Sequence, residues 1–196
     1  MSVRDHLLTL QWAQLKHDES YHKDIVILPL AQRMKHMALH NAKYTAYFLE
    51  AIEDDDEARF KRTLVDAFII CLAVANTLNQ DIGRELTASN PDRSLVDLGN
   101  SLAETLGRSD DPLWITRHYC KQNGQLAKLC EAWDHLEDLQ FRSNMHQRNV
   151  SLIAAVLAEA AVRQIDLAAA YRERIRQVEA RSIFDSFTRA GAGGEA

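Results

Sequence analysis

Apolar residues recur at helical spacing along nearly the whole chain, and the strongest run, residues 66–86 (DAFIICLAVANTLNQDIGREL), organises the rest. Phe68, Ile69, Leu72, Ala73, Ala75 and Leu78 fall on one helical stripe, opened by Asp66. Asn79-Gln80-Asp81 then breaks the pattern, and Asp81 can cap a short following helix. The same plan returns as SLIAAVLAEAAVRQIDLAAAY, with Ser151 in the place of Asp66 and Asp166 in the place of Asp81, fifteen residues apart in both copies. No stretch alternates as a half-buried strand would, so the predicted fold class is all-α.

The remaining pattern predicts a first helix over residues 3–16, with Leu7, Leu8, Leu10, Trp12 and Leu15 forming a broad apolar face, and a polar loop over residues 16–24 (KHDESYHKD). His17-Asp18 and His22 in that loop invite comparison with HD-type metal-dependent phosphohydrolases. The further His and downstream Asp that such a site needs are not visible at sensible helical positions, and the segment reads as a solvated loop. A second helix starts near Pro29 and ends in the acidic run Glu53–Glu57, and a third starts near Ala58. Residues 87–112 look like a linker holding one short amphipathic helix. Asp111-Pro112 reads as the N-cap and first turn of a helix reaching about Asp138. A loop over 139–144, a helix over 147–164 and a last helix capped by Asp166 complete the chain. The predicted organisation is an N-terminal half (1–88), a linker (89–111), a C-terminal half (112–189) and a disordered tail (190–196).

Composition narrows the function. Seven glycines and three prolines in 196 residues fit helices throughout. A net charge of −5 argues against general nucleic-acid binding, which needs a basic face. No membrane-spanning apolar run and no signal-peptide pattern are visible, which implies a cytoplasmic protein. The three cysteines form no CxxC and read as buried free thiols in a reducing compartment.

Alongside the two Asp-terminated runs, His40-x-x-Lys43-x-x-Ala46 is answered by His118-x-x-Lys121-x-x-Gly124, which reads as an internal duplication. The spacing to the following apolar helix is seven residues longer in the second copy. This order of elements resembles the all-α nucleoside triphosphate pyrophosphatase superfamily of MazG-like proteins, over most of each half. The resemblance implies a helical bundle of two MazG-like repeats packed as a pseudo-dimer. It also implies a tendency to self-associate and a site for a nucleotide or phosphorylated small molecule, with Mg²⁺ held by clustered carboxylates if the protein is a pyrophosphohydrolase.

Matching the family's acidic motif puts Lys121, Gln122 and Gln125 at its three Glu positions in the second half, and Lys43, Tyr44 and Tyr47 in the first. Its next pair falls on Thr63 and Asp66, and on Arg148 and Ser151. Only Asp66 of these ten positions is acidic, which implies lost or altered catalysis and no tightly held cofactor. A shift by one turn would bring Glu50 and Glu53 toward Asp66 as a metal set. Lys43 either pairs with Asp66 or holds a phosphate in place of a metal. His36 and His40, four apart, share a helix face as two metal ligands or as packed interface residues. Arg174 and Arg181, after the Asp166 cap, match basic residues that reach substrate phosphates in the family. The ligand-binding candidates are therefore Asp66, Lys43, His40, Lys121, Gln122, Gln125, Arg174 and Arg181. A non-catalytic helical interaction or scaffold protein is the alternative.

Overall fold

In a computed structural model describing residues 2–87, 94–183 and 185–187, the chain is all-helical. The predicted tail and part of the predicted linker lie outside those residues. The helices of the bundle are α1 (Val3–Tyr21), α2 (Lys23–Val26), α3 (Leu30–Glu53), α4 (Glu57–Leu78), α5 (Ile82–Thr87), α6 (Leu95–Thr105), α7 (Trp114–Asp134), α8 (Phe141–Val162) and α9 (Leu167–Glu179), and residues 185–187 are also helical.

Two helical hairpins, α3–α4 and α7–α8, make the centre: α3 packs on α7 and α4 on α8, while α1 and α9 cover α4 and α6 covers α8. One continuous apolar cluster runs through both halves, from Leu7 and Phe48 to Phe68, Tyr119, Ile153 and Tyr171. The apolar stripe of residues 66–78 explains why α4 is central, since Ala67, Phe68, Cys71, Leu72 and Ala75 are all fully covered.

Each of the four central helices ends the same way. Asp55, Asn79, Leu136 and Gln164 take positive φ, and the next residue returns its N–H to a carbonyl five back: Asp56 to Ala51, Gln80 to Ala75, Glu137 to Ala132 and Ile165 to Ala160, at 2.8–3.0 Å. This satisfies carbonyls that the helix leaves unpaired. Asp81 and Asp166 follow the second and fourth of these turns and cap what comes next, accepting from Arg84 N–H at 2.8 Å and Ala169 N–H at 2.9 Å.

Several expectations need correction. The polar segment 16–24 is not a loop. α1 continues to Tyr21 because His17 and Gln14 turn inward, and polar composition concealed a half-buried helical face. The predicted loop over 139–144 is mostly helix: α8 starts at Phe141, whose ring stacks on Trp133 at 5.1 Å, and Met145 is fully buried. Asp111 does not cap α7 directly. Its carboxylate accepts from Leu113 N–H at 3.0 Å in a preceding turn, and the helix starts at Trp114. Cys71 and Cys130 are buried, but Cys120 is exposed.

α6, inside the predicted linker, is part of the packed molecule. A Cβ at Gly99 would lie 2.5 Å from Leu157 O and 2.7 Å from Ala161 Cβ, so only glycine permits this approach of α6 to α8. Arg108, just after α6, reaches Glu159 of α8 through two bonds of 3.1 and 3.2 Å, and Arg163 meets the same carboxylate at 2.6 Å. Glu159 is 1% exposed, and the two guanidiniums are what make that burial tolerable.

Candidate functional site

A cavity of about 290 Å³ opens where the end of α1, α2, α3, α4 and α9 meet. Helix period sets its polar lining. Arg33, His36, His40 and Lys43 recur every three or four residues on α3, His17, Asp18 and His22 come from the last turn of α1 and its cap, and Asp66 and Arg174 project from α4 and α9. Met37, Ile69, Ile70, Ala73 and Ile175 supply the apolar wall.

The Arg174 fork grips Asp66 with Nε to Oδ1 at 2.6 Å and Nη2 to Oδ2 at 2.9 Å, both side chains being about four-fifths covered (17% and 20% exposed). Asp66 therefore has Arg174 as its ion-pair partner, and Lys43 is not that partner. The Lys43 ammonium instead lies 3.2 Å from His40 Nδ1 and 4.8 Å from the centre of the Tyr44 ring. No carboxylate pairs with it among the described residues.

His40 Nε2 faces His36 Nε2 at 3.1 Å, which requires one ring to donate and the other to accept. Burial, with Lys43, His36 and His22 nearby, pushes His40 down to about 4, so its ring is neutral at physiological pH. Asp18 moves up to about 6, chiefly by burial, against the hydrogen bond from Gln14 and the fields of His22 and Arg33. Burial and the neighbouring Asp66 raise the Tyr44 phenol, which stays protonated.

At the places matched in the second half, the side chains bond to one another. His118 Nε2 lies 3.0 Å from Ser151 Oγ and its ring stacks on Trp114. Gln122 accepts from Arg148 at 3.1 Å, and Gln125 also bonds Arg148. Gln122, Gln125 and Lys121 do not line the cavity, and neither does Arg181, which lies beyond α9.

Glu50 is ion-paired with Arg59, two turns of α4 before Asp66 and hence about 10 Å from it by helix rise. Asp54 also faces Arg59, and Glu53 is exposed. The metal set of Asp66, Glu50 and Glu53 is therefore not assembled. The four predicted residues that do converge are Asp66, Lys43, His40 and Arg174.

The sequence reading weighs His17-Asp18 and His22 as an HD-type metal site and sets them aside as a solvated loop, and it does not name Arg33. The structure places all four at the cavity, the first three because α1 extends to Tyr21. Arg33 also carries a buried Nε with no hydrogen-bond partner among the described residues, while its Nη2 reaches Leu28 O at 3.3 Å.

No family model, no curated protein and no solved structure matches this chain. Among the described residues no helix is long and apolar enough to cross a membrane.

Proposed function

We propose that this chain binds a small phosphorylated molecule, or the phosphate end of a nucleotide, in the cavity between α1, α3, α4 and α9. The observation that carries the reading is Lys43: an exposed, cavity-lining ammonium near a neutral imidazole and a phenol ring, with no ion-paired carboxylate among the described residues. Such an ammonium can meet an anion without first breaking an ion pair. Arg33 adds a second cation with an unsatisfied buried donor, and a small rotation would turn that donor to a ligand oxygen. Of the carboxylates that line the cavity, Asp66 is already held by Arg174. Its size sits at the lower end of the roughly 300–1,000 Å³ typical of ligand pockets, which favours a compact metabolite over a whole nucleoside triphosphate.

A MazG-like origin, with two fused repeats and a decayed acidic motif, remains part of this proposal. It is supported by the two Asp-capped turns and by the order of the helices. Binding with lost or altered hydrolysis is supported by Glu50 and Asp54 facing Arg59 rather than Asp66.

The test is a thermal-shift screen of inorganic pyrophosphate, nucleoside mono- and triphosphates and sugar phosphates, each with and without Mg²⁺, on the wild-type chain and on Lys43→Met. A phosphorylated compound should raise the wild-type melting temperature and do so much less in Lys43→Met. A screen in which every compound leaves the wild type unmoved at millimolar concentration contradicts the reading and favours a scaffold role.

A further inference from the structure

We infer that His17, Asp18 and His22 form a binding site for one divalent transition-metal ion, at the α1 end of the cavity. One ligand atom from each residue lies within 4.8 Å of the other two, and these three are the one His/Cys/Asp/Glu group so gathered among the described residues. Metal bonds of about 2.0–2.2 Å place donor atoms of one ion roughly 3–4 Å apart, so modest side-chain rotations close the set.

Proximity alone would be a weak warrant, but the surrounding bonds orient two of the three ligands. His17 is buried, and its Nδ1 lies 3.1 Å from Glu179 Oε1 of α9. Donation from Nδ1–H to that carboxylate leaves the lone pair on Nε2, which is how metal-binding imidazoles are commonly held. Gln14 fixes Asp18: its amide donates from Nε2 to Asp18 Oδ1 at 2.8 Å, while its Oε1 accepts from the buried Tyr171 hydroxyl at 3.2 Å. Tyr171 thereby sets which way the Gln14 amide faces, and Asp18 keeps one oxygen for an ion. His22 arrives by the helix end itself. α1 stops there at φ −129° and ψ 42°, with His22 N–H bonded to Asp18 O at 2.9 Å, so the backbone carries the second imidazole around the same end.

Two imidazoles and one carboxylate are the ligand types of zinc and of non-haem ferrous iron. The set has too few oxygens for calcium or magnesium, and no thiolate. Three protein ligands leave coordination positions open, and all three residues line the cavity that also holds Lys43 and His40. The ion would thus share the chamber with any anionic ligand, but its binding does not depend on one.

Titrating the metal-depleted chain with Co²⁺, followed by visible absorption and calorimetry, tests the site with the metal alone. Wild type should bind one Co²⁺ per chain, with ligand-field bands that added Zn²⁺ abolishes. Binding should weaken at least tenfold in His22→Gln and in Asp18→Asn, and stay unchanged in His135→Gln, an exposed histidine at the end of α7 and outside the cavity. Circular dichroism shows that each variant is folded. His22 is a half-buried helix cap, so His22→Gln decides the matter if Asp18→Asn fails to fold. No saturable Co²⁺ binding, binding that survives His22→Gln, or an equal loss in His135→Gln would overturn the assignment.

Discussion

Leu136 adopts φ 55° at the end of α7 while its side chain is 87% exposed, so it bears the strain of a left-handed backbone with little packing in return. The cost of that conformation for an L-residue is about 1–2 kcal/mol, which glycine avoids, although glycine also gains freedom in the unfolded chain. Leu136→Gly is expected to stabilise the protein by about 0.5–1 kcal/mol in urea denaturation. A loss of stability would show that Leu136 packs in a way its exposure does not reveal.

His40 gives the second prediction at this scale. Its pKa is about 4 in the folded chain against an ordinary 6.5, because burial and the nearby Lys43, His36 and His22 disfavour the imidazolium. The unfolded state therefore binds more protons between those values. His40's contribution to stability is complete above pH 6.5 and declines as pH falls toward 4. Asp18, raised to about 6, has the opposite slope between about 4 and 6, since its buried neutral form is favoured at low pH. A wild-type pH profile mixes the two. The difference between wild type and His40→Gln isolates the histidine: the variant should lose less stability than wild type on going from pH 7 to pH 4.5. Parallel profiles would mean that His40 is hydrated and titrates normally.

Among the elements, α9 is tied to α4 by the Asp66–Arg174 fork across 108 residues of sequence. Asp66→Asn keeps the shape, removes the charge and leaves a mostly covered guanidinium without its counter-ion. We expect a loss of about 2–4 kcal/mol, read from urea denaturation. A change within about 0.5 kcal/mol would mean that the pair is wet.

The importance of Asp66 was visible in the sequence because it opens the most apolar helical run. Its partner was not, since Lys43 and Arg174 are equally cationic and only the packing of α9 on α4 selects between them. Helices with dense apolar stripes, such as α4, were legible to within a residue or two at their starts. The end of α1 and the start of α8 were not: α1's last turns bury His17, which pattern reading assigns to solvent, and α8's first turn holds Arg142, Ser143 and Asn144 before the buried Met145. The capping roles of Asp81 and Asp166 were legible because a short side chain before a new helix has few other uses.

For the whole molecule, one apolar core passes through both hairpins, while the cavity that holds Lys43 and His40 is bounded by α1, α2, α3, α4 and α9. At the sequence-matched places in the second half, His118 bonds Ser151 and stacks on Trp114, and Arg148 bonds Gln122 and Gln125. The cavity is lined from both halves, since α9 brings Arg174 and Ile175 to it while α7 and α8 pack against α3 and α4. The difference between the matched places was not legible in the repeat, which matches His40 to His118 and Lys43 to Lys121 as equals.

Lys43 is the residue on which the phosphate reading depends. Isothermal titration of inorganic pyrophosphate and of a nucleoside monophosphate into wild-type and Lys43→Met protein measures that dependence directly. Wild type should bind at least one of the two with a saturable heat, and Lys43→Met should weaken it tenfold or more, about 1.4 kcal/mol. Binding of equal strength in the two proteins, or no binding to either, would contradict an anion site at Lys43.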